Sequence, residues 1–217
     1  MKNSYLGQAW LVLAISLVFG ALLAGVQVGL AGKIAANKLN ETLEQIPNLV
    51  AMPEFDPEAD ASETAENPTG NPEATKVFDA EEHHIGWVVE RELEGRQAYE
   101  AFDLKGARVG WVIKAAGNGF ADRIELLMGF NADATQITGM FVLDQKETPA
   151  LGDNITKAKF RDRFIGKPTD VVLSASQTPT QPDQIQALTG ATISSQSVCD
   201  IVNGAAEQFT AALKEGE

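Results

Sequence analysis

Apolar and polar positions divide the chain into three regimes. From Ala9 to Gly32 the text reads AWLVLAISLVFGALLAGVQVGLAG, 24 residues without a charge. A helix rising about 1.5 Å per residue would carry that segment across a hydrocarbon core of about 30 Å with some tilt. The apolar core of a secretory signal peptide is shorter, about 7–15 residues, and is followed by a small-residue cleavage site. The pattern therefore predicts an uncleaved transmembrane helix over 9–32, behind a short tail over 1–8. Ala21, Gly25 and Gly29 stand four apart on it. They would let a partner helix approach closely, with Gln27 available for a hydrogen bond, although small residues are common in membrane helices anyway.

The second regime, 33–95, reads as a juxtamembrane helix and an acidic linker. Lys33 to Ile46 continues the helix, and Pro47 predicts its end. Pro53 to Pro72 is built mostly from Pro, Glu, Asp, Ala, Ser, Thr, Asn and Gly, with little to bury, and predicts a linker. The third regime, 96–217, has the text of a folded domain. Gln97–Asp103, Val109–Ala116, Ile124–Phe130 and Ile137–Leu143 read as strands joined by short turns, the geometry of an antiparallel meander. Ile155–Phe164 predicts a short helix and Val171–Ser174 a short strand. Val198, Ile201, Val202, Ala205, Phe209, Ala212 and Leu213 form one stripe of a final helix over Ser194–Leu213. The predicted class is α+β: a single N-terminal transmembrane helix, an acidic linker, and an antiparallel β-sheet domain with flanking helices.

Charge narrows the function. The chain carries 30 acidic and 17 basic side chains, a formal net charge of −13. That argues against a nucleic-acid partner, which needs a basic surface. Between Glu54 and Asp103 there are 15 acidic and 3 basic residues, a net −12. This stretch reads as a solvated spacer or as a docking surface for a basic partner. Lys2 on one side of the helix and Lys33 and Lys38 on the other do not decide its orientation. The single cysteine, Cys199, excludes an intrachain disulfide framework and a cysteine-rich metal site; it reads as a packed core thiol. His83 and His84 are too few for a metal centre, and no metal site is expected. Trp10 suits a membrane interface, and Trp87 and Trp111 suit the core.

The segment Ala187–Ser195 concentrates small residues and hydroxyls at the start of the final helix. A helix start offers unpaired N–H groups and a positive dipole end, suited to a phosphate. Gly190 and Ala191 permit close backbone approach. A Ser/Thr N-cap after a glycine turn explains the same residues. Thr189-Gly190-Ala191-Thr192, followed by Ser194-Ser195, resembles the flavinylation signature of the FMN-binding domain family. Upstream, Glu147-Thr148-Pro149-Ala150-Leu151-Gly152 is similar to the family's ETPGLG loop. The order of elements from Arg96 to Leu213 agrees as well. Two positions depart from the pattern. Gln186 stands where aspartate is usual, and Ala150 stands where glycine is usual.

The resemblance implies FMN joined to Thr192 through a phosphoester. It also implies a cofactor site of Thr189, Gly190, Ala191, Ser194 and Ser195, with Glu147, Thr148 and Leu151 at the flavin ring. A threonine hydroxyl is a poor nucleophile and both histidines lie far away in sequence, so a separate flavin transferase is implied. The chain shows no GxGxxG nicotinamide fingerprint. No catalytic residue is expected; Thr192 would be an anchor, and the flavin would carry the chemistry. One anchor helix with one such domain is similar to the G-subunit family of Rnf electron-transport complexes, the ion-translocating ferredoxin:NAD oxidoreductases. A close relative is the C subunit of the sodium-translocating NADH:quinone reductase. That resemblance implies partner subunits in a membrane-bound complex of the bacterial inner membrane, with the flavin domain on the periplasmic side. The competing readings are that related C subunit, a flavin domain of another periplasmic reductase, and an anchored scaffold module without redox function.

Overall fold

The computed structural model describes residues 5–53, 67–79, 81–93 and 95–216. It divides into two compact units, Met1–Glu41 and Thr42–Glu217. The first is the apolar helix. Its helix α1 runs Tyr5–Leu49, so its last turns belong to the second unit. The apolar side chains of the first unit face outward: Trp10, Leu17, Leu23 and Val28 are each at least 66% exposed. The helix holds an 18-residue window of mean hydropathy 2.4, so by length and composition it is long and apolar enough to cross a membrane. The expected stop at Pro47 is corrected. Pro47 lies inside the last turn, and the helix continues to Leu49. Burial of Ile46, Leu49 and Val50 against the sheet offsets the hydrogen bond that proline cannot make.

The second unit is built on a six-stranded antiparallel meander. Its strands are β1 (Thr75–Phe78), β2 (His84–Leu93), β3 (Arg96–Asp103), β4 (Arg108–Asn118), β5 (Arg123–Asn131) and β6 (Ile137–Asp144), in that spatial order. A short helical passage follows, 3-10 turns at Gly152–Thr156 and Asp162–Phe164 flanking α2 (Ala158–Arg161). β7 (Ser174–Ser176) and β8 (Gln184–Gln186) then pair in parallel, and α3 (Thr192–Gly216) closes the chain.

Two expectations shift here. The sheet begins at Thr75, about twenty residues before the expected boundary at 96. β1 and β2 were hidden by the acidic average of that stretch. Glu90 and Glu92 face solvent at one end of β2, while Trp87, Val88 and Val89 are buried at the other. The expected strand over Val171–Ser174 moves to Ser174–Ser176, leaving Val171 and Val172 exposed. Side chains of α3 fix that register. Leu173 N donates to Asn203 Oδ1 and Ala175 N donates to Gln196 Oε1, each at 2.8 Å. The 54–66 part of the expected linker and the 1–4 part of the expected tail lie outside the described residues.

Both faces of the sheet are buried. On one, Val198, Val202 and Phe209 of α3 pack over Trp111, Ile113, Leu126, Met128 and Phe130. Phe209 stacks on Phe130 with centroids 5.1 Å apart and meets Trp111 edge-on at 5.7 Å. Cys199 is fully buried there, and burial pushes its thiol pKa up to about 12. On the other face, Ile46, Leu49 and Val50 pack on Val88, Tyr99, Val112 and Leu127. Close approach requires glycine at one crossing. A Cβ on Gly129 would sit 2.0 Å from the Leu49 carbonyl oxygen, which also accepts from Thr138 Oγ1 at 2.6 Å.

Candidate functional site

The hydroxyl-rich segment forms a tight turn into α3. Ala191 N donates to Leu188 O at 3.0 Å, and Gly190 takes φ +78°, a backbone region costly for a side chain. Ser195 N then donates to Ala191 O at 3.0 Å, the first helical bond of α3. The N–H groups of the turn before it have no intrahelical acceptor. Thr189, Gly190 and Thr192 are exposed. Ser194 and Ser195 are buried, and each is committed within the fold. Ser195 Oγ accepts from Leu188 N at 3.0 Å and donates to Ala191 O at 2.8 Å, which locks the turn.

The loop 147–152 lies against this helix start. Glu147 is only 4% exposed. Its Oε2 accepts from Ser194 Oγ at 2.5 Å and its Oε1 from Ala121 N at 3.0 Å. One carboxylate thus joins three segments: the β4–β5 turn, the 147–152 loop and the first turn of α3. Two glycines make room for it. A Cβ on Gly119 would meet Glu147 Oε1 at 2.3 Å, and one on Gly152 would meet Ser194 Oγ at 2.9 Å. The carboxylate also sits where the helix dipole favours negative charge. Lys146 Nζ reaches Asp122 Oδ2 at 3.3 Å in a second link between loop and turn. The Arg123 N–H beside it lowers the Asp122 pKa, aided by Lys146.

Ala150 keeps the conformation that its usual glycine would suit, with φ +61°. Asn154 Nδ2 donates to its carbonyl at 2.9 Å, and Thr148 O accepts from the N–H groups of Leu151 and Asp153. Thr148 is exposed, and Leu151 is 44% exposed with one methyl 3.1 Å from where a Gly190 Cβ would stand. Ile193 and Phe120 are also exposed, each 59%.

The expected site residues therefore fall into two groups. Thr189, Gly190, Thr192, Thr148 and Leu151 form an open surface at the start of α3. Glu147, Ser194 and Ser195, with Ala191, form the buried support beneath it. Sequence reasoning missed Gln177. Its Nε2 donates to Thr192 Oγ1 at 2.8 Å and to Leu188 O at 3.2 Å. It lies in a polar loop with no distinguishing pattern. A groove of about 550 Å³ runs along α3 at Ser197, Ile201, Gly204 and Gln208, but it includes neither Thr192 nor the 147–152 loop. The surface at Thr192 is open, with Thr189, Gly190 and Thr192 all exposed. Exposed apolar side chains, Leu151 and Ile193, stand beside a helix start of the kind that suits an anionic group.

The FMN-binding domain family matches residues 119–207. The G subunit of the ion-translocating oxidoreductase complex of Methanosarcina acetivorans is 34% identical over 205 residues, 92% of this chain and 92% of the relative. The G subunit of the proton-translocating ferredoxin:NAD(+) oxidoreductase complex of Clostridium ljungdahlii is 32% identical over 118 residues, 54% of this chain and 63% of the relative. In fold, the chain is similar to the C subunit of the Na(+)-translocating NADH-quinone reductase of Parabacteroides distasonis. That likeness has a TM-score of 0.51 and 19% identity, and covers 85% of this chain and 96% of that one. With nearly its whole length matched at 34% identity, and an FMN-binding domain over 119–207, the chain belongs to the G-subunit family of ion-translocating oxidoreductase complexes.

Proposed function

We propose that this chain is a membrane-anchored electron-transfer subunit that carries FMN on Thr192 through a phosphoester. The observation that carries this reading is the exposed Thr192 hydroxyl at the start of a 25-residue helix, directly after the Gly190 turn. The unpaired N–H groups and the dipole of α3 favour a phosphodiester there. Gly190 lets the backbone approach it, and Thr189 and Ala191 complete the turn. Leu151 and Thr148 offer apolar and polar contact to a ring. Glu147 and Ser194 hold that loop against the helix. FMN, when bound, supplies single-electron transfer between cofactors of neighbouring subunits.

Attachment is assigned to a separate flavin transferase using FAD, because among the described residues the side-chain partner of Thr192 Oγ1 is the Gln177 amide, which is no base. Helix α1 is assigned as a single-pass anchor in the cell membrane, with the flavin domain on its periplasmic side. The other subunits of an Rnf-type complex are the partners. Similarity over 205 residues to a G subunit of such a complex favours that assignment over the related C subunit of the quinone reductase.

Affinity purification of the tagged full chain from its native membranes tests the relay. Co-purification of integral-membrane redox subunits, with the flavin of this chain reduced when the complex is given its electron donor, is expected. A chain recovered alone, or a flavin that stays oxidised in an active complex, contradicts it.

A further inference from the structure

Thr192 Oγ1 accepts a hydrogen bond from the end of a continuous brace. Arg163 Nη1 donates to the Gln186 carbonyl. Gln186 Nε2 donates to the Gln177 carbonyl at 2.5 Å. Gln177 Nε2 then uses its two hydrogens on Leu188 O and Thr192 Oγ1. The brace thus ties the helical passage after β6, strand β8 and the loop after β7 to one hydroxyl. Leu188 O, the second acceptor, also closes the turn that precedes α3.

We propose that the Gln177 carboxamide is the positioning group of the attachment hydroxyl, and that it holds the phosphodiester once that has formed. The inference rests on the proposed attachment at Thr192. A donor on one lone pair of Oγ1 fixes how the hydroxyl is presented, with its own hydrogen and second lone pair left for the transferase. In the attachment, Thr192 Oγ bonds to the flavin-bearing phosphorus of FAD as the anhydride bond breaks. AMP leaves, the hydroxyl proton passes to the transferase, and no electrons are exchanged. The amide then faces anionic phosphate oxygens, which accept more strongly than a hydroxyl. A carboxylate at 177 would present two acceptors and a negative charge to the same group.

The test follows the attached fraction of the full chain by intact mass over time, with a flavin transferase and FAD. Wild type, Gln177→Ala and Gln177→Glu are compared. Gln177 is exposed, so both variants are expected to keep the wild-type melting temperature. Gln177→Ala should attach about fivefold more slowly, the worth of one hydrogen bond. Gln177→Glu should be slower still, with a deficit relative to Ala that shrinks as salt is raised. A purely structural brace would give no such salt dependence. Attachment of either variant at the wild-type rate overturns the brace and leaves Thr192 standing. No attachment in wild type overturns the proposed function, and the brace with it.

Discussion

Ser194 Oγ donates to Glu147 Oε2 at 2.5 Å, with both side chains buried. This bond connects the start of α3 to the loop that follows β6. A Ser194→Ala change leaves that carboxylate oxygen buried without its hydroxyl donor. The loss is expected to cost about 1–3 kcal/mol of stability. Urea unfolding measures it; an unchanged midpoint would contradict the structural role assigned to Glu147.

Gly129 is expected to be intolerant of a side chain, because its Cβ would collide with the Leu49 carbonyl at 2.0 Å. The two nearest atoms belong to the Leu49 backbone, which cannot swing aside as a flexible side chain would, and Thr138 Oγ1 follows at 2.9 Å. Gly129→Ala should destabilise the second unit by at least about 1–3 kcal/mol, the usual cost of overpacking. A melting temperature equal to wild type would show that residues 42–50 do not sit on the sheet as described.

Some of this was legible in the sequence. Strands β4 to β6 show apolar runs bounded by strong turn residues, and the apolar stripe of α3 is regular. Both are local signals. β2 was not legible, because its apolar half is followed by Glu90, Arg91 and Glu92, and composition read the whole as linker. The motif residues Thr192 and Leu151 were found through resemblance. That Glu147 faces inward was not, since its burial depends on the absence of side chains at Gly119 and Gly152, far apart in the chain. Gln177 reaches Thr192 only through tertiary packing, and a lone glutamine in a polar loop carries no periodic signal.

Ala150 stands at φ +61°, where a left-handed conformation costs an L-residue about 1–2 kcal/mol. Glycine removes that cost but gives back part of the gain through a more flexible unfolded chain. Ala150→Gly is therefore expected to raise stability by about 0.5–1 kcal/mol. Thermal unfolding reads the sign directly, and destabilisation would contradict the loop geometry.

His84 predicts a pH dependence. It packs edge-on against Trp87 at 5.0 Å and its Nε2 lies 2.9 Å from Gly86 O. Burial lowers its pKa below the ordinary 6.5, with the Gly86 carbonyl opposing the shift. The unfolded chain thus binds the proton more readily. This contribution to stability is full above the unfolded value of 6.5 and is lost as pH falls through the lower folded value. Melting temperatures across about pH 5 to 8 should show this slope in wild type and a flatter one in His84→Gln. Equal slopes would rule out His84 as the source.

Intact mass of the full chain expressed with a flavin transferase reads the proposed covalent flavin directly. A gain of FMN less one water, flavin fluorescence that stays with the denatured chain, and loss of both in Thr192→Ala are expected. An unmodified mass beside a transferase proven on another substrate, or a mass gain that survives Thr192→Ala, would contradict it.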